Sequence, residues 1–178
     1  MVLSNDDRMR NVRSILGIGI MSIFFITGCL QPMVSRSYTN EIYGFSLNPP
    51  AGWQQVDNAL PNVAVWFAPE NFTNISFIIG VPFSLSEGRA LSTFADQVEE
   101  NLSDSGMNYT ILYRDWRPVP DVQSYEIAYS YERDGALEFT KQVAVLKTRT
   151  VFLITFTAPI ELSTSYLTDV NQSIDSFM

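Results

Sequence analysis

Gln123-Ser-Tyr-Glu-Ile-Ala-Tyr-Ser-Tyr-Glu-Arg133, Leu137-Glu-Phe-Thr-Lys-Gln-Val-Ala-Val-Leu-Lys147 and Thr150-Val-Phe-Leu-Ile-Thr-Phe-Thr-Ala158 decide the fold. Each is nine to eleven residues long and rich in β-branched and aromatic side chains. The joints between them are short: Asp134-Gly135 is a two-residue hairpin signal, and Lys147-Thr148-Arg149 marks the next turn. The three segments therefore read as an antiparallel meander. Apolar residues fall on both parities of the second and third segments, so both sheet faces need a covering layer. Tyr125, Tyr129 and Tyr131 share one parity and line one face as a half-buried row beneath a helix.

Further strands lie upstream. Tyr109 to Trp116 has strand character, and Arg114-Asp115-Trp116-Arg117 followed by Pro118-Val119-Pro120 reads as a strand end and rigid turn. Asn62 to Phe67 and Asn74 to Val81 are short apolar runs joined by Ala68-Pro69-Glu70-Asn71, a hairpin with a longer loop. Tyr43-Gly44-Phe45-Ser46-Leu47 alternates, stops at Pro49-Pro50-Ala51-Gly52 and restarts at Trp53. Between these strands the period changes. Leu91, Phe94, Ala95, Val98 and Leu102 recur at helical spacing with Gly106 as the stop, and Leu162, Tyr166, Val170 and Ile174 give a closing helix after Pro159. The class is α+β, a mostly antiparallel sheet of about six to eight strands flanked by helices.

The N-terminus reads as an address. Arg8, Arg10 and Arg13 precede an apolar run from Ile15 to Ile26 that is shorter than the roughly 20 residues of a membrane span. Ile26-Thr27-Gly28-Cys29 resembles the lipobox of prokaryotic lipoproteins, which implies lipid attachment at Cys29 and cleavage before it. The alternatives are an uncleaved N-terminal anchor and a buried core cysteine with no export role. The division is then 1–28 signal peptide, 29–38 tether and 39–178 folded domain, facing outward from the cell membrane. Removing the leader's three arginines and two aspartates leaves 150 residues with 8 basic and 17 acidic side chains, a net of −9 against −8 for the whole chain. A domain of that size buries enough surface to fold without disulfides.

Tyr43-Gly44-Phe45-Ser46-Leu47 with Pro50-Ala51-Gly52-Trp53, Asn74 to Val81 ahead of the helix, and Val151 to Ala158 leading to a last helix with Ser176-Phe177 resemble the PsbP-like fold. The resemblance spans Tyr38 to Phe177 and implies an antiparallel sheet sandwiched by helices. That family includes the extrinsic photosystem II subunit of plants, its cyanobacterial relatives and many exported prokaryotic lipoproteins. The plant subunit helps retain calcium and chloride at the oxygen-evolving centre. That role does not carry over, because metal sites in such proteins draw on histidine and this chain has none.

Composition narrows the chemistry. No histidine and one cysteine exclude a Ser-His-Asp triad, a Cys-His pair, a His-ligated zinc and an internal disulfide. An acidic chain with Lys141 and Lys147 as its two lysines is a poor partner for nucleic acid. No nucleophile motif or glycine-rich phosphate loop is present, and no catalytic, metal or cofactor residue is assigned. Asp96, Glu99, Glu100 and Asp104 share one helix face, read as solvated rather than cation-binding. Arg114, Trp116 and Arg117 are candidates for an anionic or aromatic ligand, and Trp53 and Trp66 for the wall of a pocket. Sequons at Asn71, Asn74, Asn101, Asn108 and Asn171 are candidate glycosylation sites. The expected function is a lipid-anchored, non-catalytic binding or accessory module for an envelope protein. The alternative is a solute- or ion-binding surface lipoprotein. A pocket lined by tryptophans would favour the solute; an exposed apolar patch would favour the protein partner.

Overall fold

A computed structural model describes residues 37–57, 60–70 and 74–178. The leader 1–28, Cys29 and nearly all of the tether lie outside the described residues, as does Asn71. Among the described residues no helix is long and apolar enough to cross a membrane.

The chain runs β1 (Tyr38–Asn40), β2 (Phe45–Leu47), β3 (Trp53–Gln55), β4 (Val63–Pro69), β5 (Ser76–Gly80), β6 (Phe83–Ser84), α1 (Thr93–Asp104), β7 (Tyr109–Val119), β8 (Val122–Arg133), β9 (Ala136–Lys147), β10 (Thr150–Pro159) and α2 (Ile160–Asp175). Eight strands form one antiparallel sheet in the order β3-β4-β5-β10-β9-β8-β7, with β6 pairing the start of β10. The expected meander is present and one strand longer, because β7 joins it through a turn at Asp121, which has φ 61°. Gly135 at φ 78° and Asp134 at φ 53° make the β8–β9 turn, a conformation open to glycine at little cost.

Three readings need correction. Residues 41–44 form a turn, so only Phe45–Leu47 is extended there, and it pairs with Tyr38–Asn40 in a separate two-stranded ribbon. The strand expected to stop at Trp116 continues through Pro118 to Val119, in register with Gln123 and Val122. It can do so because β7 is the sheet edge, where a proline is tolerated. Helix α1 begins at Thr93, leaving Leu91 in the preceding turn, where it is still buried. Gly106 at φ 69° follows α1 as expected.

Register fixes the two faces. Val143 and Val145 lie opposite Ile154 and Phe152, and Ile154 continues to Ile79 of β5; with Phe77, Phe156 and Phe139 they meet Val170, Ile174 and Phe177 at the C-terminal end. Phe177 lies 5.5 Å from Phe45, stacked, and 5.2 Å from Phe152. Met178 exchanges both backbone hydrogen bonds with Ser46, which ties the end of the chain to β2. On the other face Ala95, Val98 and Leu102 of α1 cover Ile127 and Tyr129, with Tyr125 and Tyr131 at the margins. The tyrosine row therefore sits beneath a helix. Burial pushes the Tyr129 hydroxyl up to about 12, with the neighbouring Tyr131 adding to the shift and a bond with Thr140 opposing it.

Candidate functional site

Strand β7 carries three of the candidate residues, and pleating separates them. Arg114 and Trp116 stand opposite Ile127 and Tyr125 on the α1 face, whereas Arg117 stands opposite Ser124 on the α2 face. The two guanidinium groups thus cannot clamp one ligand. Arg114 donates to Asp96 at 2.9 Å and reaches Glu99 at 3.3 Å, so the acidic face of α1 is partly neutralised by the sheet it covers. Among the described residues no group of acidic or cysteine side chains is arranged to hold a metal.

Arg117 belongs to a part-buried ionic network that sequence reading missed. Its guanidinium donates to Glu126 at 3.0 Å, to Asp175 of α2 at 2.6 Å and to the Asn171 amide oxygen at 3.3 Å. Lys141, 4% exposed, donates to the same Asn171 oxygen at 3.0 Å, lies 3.1 Å from Glu126 and sits over the Tyr113 ring. Burial works to lower the Arg117 pKa, but its hydrogen bonds to Asp175 and Glu126, together with their charges, outweigh it and hold the group above its ordinary value. A signal existed in the sequence. Lys141 stands between Phe139 and Val143 at an inward position of a strand, where a charge needs a partner.

The tryptophans do not converge. Trp53 packs against Phe156 and edge-on to Tyr166 on the α2 face. Trp66 lies on the opposite face of β4, half-buried, with its indole N–H unpartnered. Trp116 is 54% exposed and stands edge-on to Tyr125 at 5.2 Å. The three tryptophans therefore do not line one common pocket, the feature that would have favoured a solute ligand. An open depression of about 380 Å³ instead wraps the edge from Tyr113 to Pro118 and reaches Glu126 and Asp175.

What β7 does present is an edge. Among the described residues its outer side has no ladder partner, and Leu112 at a β-bulge, Tyr113 and Trp116 are all exposed along it. Among the candidate glycosylation sites, Asn74, Asn101 and Asn108 are exposed. Asn171 is different: it is half-buried, and its amide oxygen accepts from both Arg117 and Lys141 inside the network.

No family model and no curated protein matches the chain. Solved structures do. The solution structure of cyanobacterial PsbP (CyanoP) from Synechocystis sp. PCC 6803 aligns with a TM-score of 0.60 and 12% identity, covering 80% of this chain and 90% of that one. LpqN of Mycobacterium tuberculosis, described as involved in cell envelope biogenesis, aligns with a TM-score of 0.57 and 12% identity over 76% of this chain and 82% of its own. PA94 of Pseudomonas aeruginosa, a protein of unknown function described as a putative regulator, gives 0.55 and 17% identity over 79% and 93%. Identities this low carry the architecture alone, and the architecture of this chain is PsbP-like.

Proposed function

We propose that the chain is a lipid-anchored, outward-facing module that docks an extended segment of another envelope protein on the free edge of β7, without catalysis and without nucleic acid. The observation that carries this reading is the edge itself, eleven residues long with Leu112, Tyr113 and Trp116 exposed. A strand added there gains main-chain hydrogen bonds, and the alternate side chains give selectivity. The bulge at Leu112, Pro118 and the charges of Arg114, Asp115 and Arg117 keep the edge from pairing indiscriminately. The lipobox at Cys29 supplies the anchor; two acyl chains on one thiol are enough for stable attachment. The envelope setting of LpqN is in keeping with this reading.

The test is photo-crosslinking in intact cells with a benzophenone amino acid at Trp116, and at Gln55 on the opposite sheet edge as a control. One reproducible protein adduct from position 116 and none from 55 is the expected result. No adduct from 116, or the same adducts from both positions, would overturn the reading.

A further inference from the structure

On the α1 face, away from β7, a half-enclosed cavity of about 260 Å³ opens between β6, the turn after it and the start of α1. Its floor is apolar. Leu91 and Val151 are 3% and 1% exposed, and Leu85 and Phe94 close the sides. Its rim is polar, with Ser84, Ser86 and Gln97, and Arg89 is the one charged side chain lining it. Phe83 stands beside the opening 50% exposed, an aromatic surface left in solvent next to an apolar floor. Arg89 makes no ion pair among the described residues, whereas Arg114, Arg117, Arg133 and Lys141 each hold a carboxylate.

An apolar floor with a free guanidinium at its mouth is complementary to one kind of small molecule. The tail must lose water and the head must be anionic. Arg is the cation best suited to the head, because its planar fork meets a carboxylate with two parallel hydrogen bonds. The volume equals that of about eight or nine waters in the liquid, room for an aliphatic chain of roughly that many carbons and too little for a long acyl chain. We propose that this cavity binds a medium-chain monocarboxylate, with the tail on Leu85, Leu91, Phe94 and Val151 and the head on Arg89.

This site is independent of the docking reading, since no residue lining the cavity belongs to β7. Isothermal titration of the full chain with octanoate, below its micelle concentration, tests it. Saturable one-site binding is expected, weakened at least tenfold in Arg89→Gln and at least tenfold for octanol, which keeps the tail and lacks the charge. Arg89 is exposed and unpaired, so Arg89→Gln leaves the fold intact. Ala90→Trp, at another exposed lining position, fills the cavity from its rim and should abolish binding. Equal affinity for octanoate and octanol, or binding unchanged in Arg89→Gln, would overturn the proposal. So would no heat at millimolar octanoate, which would leave the cavity to an apolar side chain of a protein partner.

Discussion

Replacing Lys141 by methionine tests the ionic network as a structural joint. Methionine keeps an unbranched apolar stem and deletes the ammonium group of a side chain that is 4% exposed. Removing one member of a buried ion pair typically costs about 3–5 kcal/mol, because the other charge stays buried with less to compensate it. Here Glu126 retains Arg117 at 3.0 Å and Asn171 retains the same guanidinium at 3.3 Å. The expected loss therefore lies below that range, about 2–3 kcal/mol. Urea unfolding followed by tryptophan fluorescence reads it as a lower midpoint at unchanged slope. The second arm is Lys141→Met with Glu126→Gln. Glu126→Gln removes the carboxylate left in excess once Lys141 is gone, while Arg117 keeps Asp175 at 2.6 Å, so the double variant should regain at least about 1 kcal/mol relative to Lys141→Met. A single variant within about 0.5 kcal/mol of wild type, or a double variant less stable than the single, would refute the account.

Two further outcomes follow from the core. Phe177→Ala removes a ring enclosed by Phe45 and Phe152 and should cost about 3–5 kcal/mol, seen as a fall in melting temperature by near-ultraviolet circular dichroism; a loss under 1 kcal/mol would mean that the α2 end is not part of the cooperative core. Tyr129 has a folded-state pKa of about 12 against about 10 unfolded, so the unfolded chain gives up its proton first and stability falls as pH rises from 10 to 12, by about 2–3 kcal/mol from this residue. Tyr129→Phe should flatten that part of the stability curve in urea titrations, and an unchanged slope would count against the shift.

The local signals in the sequence were sound where partners are close along the chain. Asp134-Gly135, the double-sided apolar pattern of Leu137 to Lys147 and the helical spacing from Phe94 to Leu102 each lead to the element found. Pairings between distant segments left no such trace. Nothing in Ser76 to Gly80 announces that β10 inserts between it and β9, and the residues of the ionic network come from three strands and a helix. The separation of Arg114 from Arg117 was readable, since positions three apart on a strand face opposite ways. Their clustering in the sequence obscured it. The scatter of Trp53, Trp66 and Trp116 depends on strand order and could not be read from spacing. The cavity near Arg89 is formed by a short strand and a turn, elements with weak patterns of their own.

The insertion of β10 beside β5 has a consequence for the order in which the molecule can assemble. Ile79 must wait for Ile154, 75 positions later, before its strand has a second neighbour, and β2 must wait for Met178. A chain made from its N-terminus therefore holds the apolar β4–β5 hairpin unfinished until β10 has been made. Loop closure of that length slows folding and lengthens the exposure of unpaired edges. Substitutions that unpair Ile154 or Met178 would then leave the first hairpins open at one edge, far along the chain from the change itself.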